Sequence, residues 1–140
     1  GLMAGCTIHL TALQNFGENY EHLHRVLKDT DATSAILVPE ILRALMMQVV
    51  SAGPLPALKF LAVGGSKVDP ALIGKARSMG LPVYEGYGLS ECASVVALNT
   101  PRHDKPGTVG KLLPHVKARI IGDEIQIKNP GFLGYIGEDA

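Results

Sequence analysis

The chain has 140 residues, enough for one domain with a buried core, and its 46% apolar and 19% charged residues make a globular composition. Thirteen basic side chains balance thirteen acidic ones, which argues against nucleic acid as a partner, since binding a phosphate backbone needs a local excess of Lys and Arg. No apolar run is long enough for a transmembrane segment, the first residues lack the basic-then-apolar layout of a signal peptide, and Cys6 and Cys92 lie far apart and form no disulfide framework, so a reducing, cytoplasmic setting is expected.

The opening Gly1-Leu2-Met3-Ala4-Gly5 reads as interior sequence and residues 134–140 carry no stop signal, so a segment of a longer chain is expected. Residues 6–13 alternate and are rich in strand formers. Over residues 18–30, Tyr20, Leu23 and Leu27 recur at helical spacing. Residues 34–38 form a short apolar run ended by Pro39. A helix follows with that proline in its first turn, where a missing amide costs nothing, and Ile41, Leu42, Leu45, Met46 and Val49 form its apolar face. Gly53 and Pro54 stop it.

Residues 59–63 predict a buried strand running into Gly64-Gly65-Ser66. Asp69 caps the next helix, with Pro70 just inside it and Gly80 at its end. Residues 81–84 read as a strand, residues 85–91 as a loop, and residues 94–98 as a strand. Three prolines and two glycines make residues 100–115 a loop. Residues 116–121 and 124–128 alternate on either side of Gly122-Asp123, a hairpin signal. The pattern implies an α/β fold: a central parallel sheet built from strand–helix repeats, with a short antiparallel β addition at the C-terminal end. Residues 1–100 are expected to form an α/β unit and residues 101–140 a loop-and-hairpin segment of the same large domain.

In an open parallel sheet, ligands bind at the carboxyl ends of the strands. Two loops fall at such ends, Gly64-Gly65-Ser66 and residues 85–91, on strands joined by a single helix, so they are expected to line one crevice. Glycines at 64, 65, 86 and 88 allow close backbone approach and positive φ. Tyr87 offers a stacking ring, Ser90 a hydroxyl for a phosphate oxygen, and Glu91 a hard oxygen for Mg²⁺. Taken singly, each has a plainer reading as a turn, a packed aromatic or a capping carboxylate; their joint pattern carries the argument.

That joint pattern resembles a known family. Tyr84-Glu85-Gly86-Tyr87-Gly88-Leu89-Ser90-Glu91 is similar to the Tyr-Gly-x-Thr/Ser-Glu signature of the AMP-forming acyl-CoA synthetase, luciferase and peptide-synthetase adenylation superfamily. Gly64-Gly65-Ser66 stands where that superfamily has a Gly-Gly-Ala/Ser turn, and Val38-Pro39 matches its Val-Pro segment. Gly107-Thr108-Val109-Gly110-Lys111 resembles its Gly-Ser/Thr-Val-Gly stretch, with Leu113 before Pro114. Asp123-Glu124-Ile125-Gln126-Ile127 through Gly134-Tyr135 resembles its Gly-Glu-Leu-x-Val…Gly-Tyr stretch, Asp123 replacing glycine.

The resemblance implies that Gly64, Gly65, Ser66, Glu85, Gly86, Tyr87 and Gly88 surround ATP, with Tyr87 stacking on adenine. It places Ser90 on the α-phosphate and Glu91 on Mg²⁺, with Gly88, Cys92 and Ala93 edging the acyl pocket. The implied reaction joins a carboxylic acid to the α-phosphorus of ATP and passes the acyl group to coenzyme A, with long-chain fatty-acid ligases the most similar in texture and a cytoplasmic or membrane-peripheral location for the whole enzyme. The family's phosphate loop would precede Gly1, and its ribose clamp and mobile domain would follow Ala140. The isolated chain is therefore expected to be inactive, and exposed apolar surface and sheet edges would favour its self-association.

Other readings are weaker. Gly88-Leu89-Ser90-Glu91-Cys92 lacks the last glycine of a hydrolase elbow. Cys92 as a nucleophile with His103 or His115 lacks a convincing arrangement. His22 and His24 point to different sides of a helix, which disfavours a shared metal. The competing function is a non-catalytic nucleotide-binding or interaction module, which would be complete as it stands.

Overall fold

The computed structural model describes residues 5–9, 21–128, 134 and 136. Chain order is α1 (Glu21–Asp29), β1 (Ser34–Leu37), α2 (Pro39–Ala52), β2 (Phe60–Val63), α3 (Pro70–Ser78), β3 (Val83–Leu89), a 3₁₀ turn (Ser90–Cys92), β4 (Ser94–Leu98), β5 (Lys111–Leu112), β6 (Lys117–Ile121) and β7 (Glu124–Lys128). Local chemistry explains the boundaries. Val38 is held extended by the proline that follows it, at φ −93° and ψ 160°, and α2 begins at once. The Asp69 carboxylate accepts the Ala71 amide at 2.9 Å, satisfying one of the unpaired donors at the start of α3.

The main sheet has the order β1-β2-β3-β4-β5. β1, β2 and β3 run parallel, each joined to the next by a helix, whereas β3–β4 and β4–β5 are antiparallel. β6 and β7 form a separate two-stranded sheet. This is the expected α/β architecture, a mostly parallel central sheet with antiparallel additions. The core lies between sheet and helices: Leu42, Leu45 and Met46 of α2 and Ile73 and Ala76 of α3 pack with Leu61, Val63 and Val83 of the strands. Strand alternation sends Ile36, Phe60 and Ala62 to the other face, and Ile36 is 79% exposed there. Among the described residues, no helix is long and apolar enough to cross a membrane.

Four local expectations change. Residues 85–89 are not loop: β3 continues to Leu89, pairing Gly86 with Leu98, Tyr87 with Ala97 and Gly88 with Val95. Glycine weakens a strand in isolation, but here it is what lets two backbones meet. A side chain at Gly88 would collide with the Ser94 carbonyl, and a Cβ at Gly64 would stand 2.7 Å from the Gly86 oxygen. Positive φ, expected at four glycines, occurs among them only at Gly65 (+87°). Inside the expected loop 100–115, residues 111–112 form β5 because the edge of β4 is available to pair with them. Residues 6–9 take no strand pairing, and the rest of the expected first strand lies outside the described residues.

The Gly88 packing predicts that Gly88→Ala destabilises the chain by about 1–3 kcal/mol, the ordinary range for overpacking. A lower urea midpoint with an unchanged slope is the expected result; an unchanged midpoint would contradict the close approach.

Candidate functional site

At the carboxyl ends of β1, β2 and β3 a cleft of about 610 Å³ opens and continues along the sheet face that carries Ile36, Phe60 and Ala62. Its size falls in the range of small-molecule sites. One rim is Val38, Gly64 and Gly65; the other is residues 86–90, followed by Ala93 and Ser94. β2 and β3 are hydrogen-bonded neighbours, with Val63 opposite Glu85, so the two segments singled out from the sequence meet at a single opening.

Of the residues marked from the sequence, Gly64, Gly65, Gly86, Tyr87, Gly88, Ser90 and Ala93 line this cleft, while Ser66, Glu85, Glu91 and Cys92 lie outside its lining. Ser66 is exposed in the turn beyond Gly65. Glu91 and Cys92 are half-buried in the 3₁₀ turn that follows β3. Among the described residues, no three His, Cys, Asp or Glu side chains gather to hold a metal. Sequence reasoning missed the apolar walls, Ile36, Phe60 and Leu98, although the two-residue alternation of β1 and β2 carried the signal for the first two.

It also missed the backbone at the rim. Ala93 has φ +56°, caps the turn through its amide to the Ser90 carbonyl at 3.1 Å, and is followed by Ser94 at φ +110°. Two successive non-glycine residues with positive φ are costly and cluster at functional sites. β3 also shifts register between Tyr87 and Gly88, an irregularity that re-aims side chains beside the cleft.

Electrostatics behind the cleft are set by two groups. The Glu85 side chain is buried, 8% exposed, and burial raises its carboxyl pKa above the ordinary value, against the opposing pull of the Val68 backbone and the Lys67 charge. Arg77 donates to both Asp104 oxygens (2.6 and 3.0 Å) and twice to the Val83 carbonyl (2.9 and 2.6 Å). The Asp104 hydrogen bond raises its pKa further. The same guanidinium lies 5.1 Å from the Tyr84 ring centre, and Tyr84 stacks at 5.2 Å on Phe60, a wall of the cleft.

The sequence profile of the AMP-binding enzyme family matches residues 1–137. The chain belongs to that family. Within it, luciferin 4-monooxygenase of Nipponoluciola cruciata is 34% identical over 120 residues, covering 83% of this chain and 21% of the luciferase. The 2-succinylbenzoate–CoA ligase of Staphylococcus aureus strain MSSA476 is 33% identical over 119 residues, covering 84% of this chain and 22% of the ligase. The crystal structure of a long-chain-fatty-acid–CoA ligase from Archaeoglobus fulgidus superposes with a TM-score of 0.73 at 26% identity, over 86% of this chain and 29% of that one. The chain therefore spans about a fifth of the length of the curated relatives it matches. In this AMP-binding family chain, the glycine-rich turn at residues 64–65 and residues 86–90 are the two rims of the cleft.

The raised pKa of Glu85 makes stability depend on pH with a definite sign. The folded state holds the proton to higher pH than the unfolded chain, so the contribution of this group to stability declines as pH rises from the ordinary carboxylate value through the raised one. Glu85→Gln removes that decline, so its urea midpoint relative to the wild type is higher at about pH 7 than at about pH 4. Parallel curves for the two proteins would show that the carboxyl does not titrate abnormally.

Proposed function

We propose that the chain is the central part of the large domain of an adenylate-forming acid ligase, and that the cleft holds ATP together with the acid. The observation that carries this reading is the meeting of Gly64-Gly65 with residues 86–90 at one opening. In this reading Gly64, Gly65 and Gly86 let the backbone approach adenine, with the main chain of Glu85 and Ser66 completing that side, and Tyr87 stacks on the base. Ser90 donates its hydroxyl to the α-phosphate. Gly88, Cys92 and Ala93 edge the acyl pocket. Glu91 would offer a carboxylate oxygen to Mg²⁺, a cation that keeps several waters and takes further ligands from substrate phosphates. When bound, the cation would offset phosphate charge.

The acid carboxylate attacks the α-phosphorus, the bond from that phosphorus to the pyrophosphate oxygen breaks, and acyl-adenylate and pyrophosphate result. The coenzyme A thiol then takes the acyl group and releases AMP. Apolar walls at Ile36, Phe60 and Leu98 favour an apolar acid, a fatty acid being the first candidate. The relatives act on chemically different substrates, luciferin and 2-succinylbenzoate by name, so the acid is assigned on the walls and not on the likeness. Residues 1–100 would make the ATP and acid contacts, with residues 101–140 a supporting loop and hairpin of the same domain, and the whole enzyme would work in the cytoplasm, peripheral to a membrane if its acid is a lipid.

Carboxylate-dependent ATP–pyrophosphate exchange tests the proposal. The intact enzyme is expected to show it, and Glu91→Gln to lose about 2–4 kcal/mol of transition-state stabilisation, as for removal of one electrostatic group. The 140-residue chain alone is expected to show none. Exchange by the isolated chain, or full exchange by the intact Glu91→Gln enzyme, would refute the corresponding assignment, and no exchange by the intact enzyme would favour a non-catalytic nucleotide-binding module. The exposed Ile36 on the open sheet face, together with Ile120 and Ile125 on the β6–β7 hairpin, also favours self-association of the isolated chain. Sedimentation is expected to show mass rising with concentration; a strict monomer at high concentration would reject it.

A further inference from the structure

The Gly107-Thr108-Val109-Gly110 stretch lies outside the cleft lining, yet its loop is tied to β3 through one buried side chain. Asn99, the residue after β4, is 1% exposed. Its main-chain amide donates to the Glu85 carbonyl at 2.9 Å and its side-chain amide donates to the same carbonyl at 3.2 Å. That side-chain amide also donates to the Thr108 carbonyl at 2.5 Å, and Oδ1 accepts the Lys105 amide at 2.9 Å. Thr108 in turn donates its hydroxyl to the Lys105 carbonyl at 2.8 Å and accepts the Gly110 amide at 3.2 Å. Gly110 lies so close to β4 that a Cβ there would overlap the backbone at Leu98 and Asn99.

The carbonyl that receives both Asn99 bonds sits where β3 changes partner. Up to Glu85 the strand pairs with β2; from Gly86 onward it pairs with β4. Everything beyond that point, residues 86–90, is cleft rim. The Asn99 main-chain amide already satisfies this carbonyl; the side chain adds a second bond to it and satisfies the Thr108 carbonyl and the Lys105 amide, so it ties the loop to the strand at the crossing point. We infer that Asn99, set in place by the Thr108 loop, is a positioning residue for the 86–88 rim of the cleft. That the rim positions a nucleotide rests on the adenylate-forming reading above; that Asn99 holds the rim does not.

Two readouts on the intact enzyme separate these claims: amide hydrogen exchange at residues 86–88, and the dissociation constant for AMP measured by titration. Asn99→Ala and Thr108→Val are expected to speed exchange at 86–88 about tenfold or more, leave α2 amides unchanged, and weaken AMP binding by a similar factor, whereas Thr108→Ser, which keeps the hydroxyl, retains wild-type values. If Asn99→Ala does not fold, the Thr108→Val and Thr108→Ser pair decides. Unchanged exchange at 86–88 overturns the inference, and faster exchange with unchanged AMP affinity overturns its role in binding. An intact wild-type enzyme that does not bind AMP removes the nucleotide reading, and the exchange result alone then upholds or rejects Asn99 as the holder of the rim.

Discussion

β3 is paired on both sides by backbones that come closer than side chains would allow. Toward β2 the contact is between Gly64 and Gly86; toward β4 it is between Gly88 and Ser94. Neither contact leaves room for a Cβ, so the strand can pass from a parallel neighbour to an antiparallel one within two residues only because its sequence there is glycine-rich. The change of partner is accompanied by a register shift between Tyr87 and Gly88, and residues 86–90 form the rim opposite Gly65.

The supports of this crossing are polar: Asn99 and Glu85 are buried, and the Arg77–Asp104 pair is partly exposed. Asn99 satisfies the carbonyl at the crossing, Arg77 ties Val83 at the start of the strand to Asp104, and Glu85 holds a buried carboxyl between. Such networks specify one arrangement only when every member is satisfied, and among the described residues no buried side-chain donor or acceptor is left without a partner. The cleft lining, by contrast, includes no Lys, Arg, Asp or Glu among the described residues. On the adenylate-forming reading two anions meet here. The positive charge that reaction needs would then come from Mg²⁺ and from parts of the enzyme outside this chain, while this chain supplies shape, stacking and a hydroxyl.

Much of this was readable in the residues. A short apolar run ended by Pro39 located β1, and periodicity located α2 and the buried face of Leu42, Leu45 and Met46, because a helix packing on a sheet must repeat its apolar positions. Asp69-Pro70 announced α3, because a capping carboxylate and a pre-set φ act within one turn. The hairpin at Gly122 was legible for the same local reason. What misled was residues 85–89, whose glycines look like a loop when the strand that accepts them is not in view, and β5, whose two residues have no strand character without β4 beside them.

The chain's own letters were enough for the family, the α/β class and the two segments that form the rims, because those follow from short-range chemistry and from motifs a few residues long. Three-dimensional packing alone settled where β3 changes partner, which of the marked side chains line the cleft, the positive φ at Ala93 and Ser94, and the burial and hydrogen bonds of Asn99. Each of these depends on atoms far apart in sequence. A glycine is a loop residue or a strand residue according to what approaches it, and an asparagine becomes a buried anchor only when a carbonyl from another strand is placed within reach of its amide.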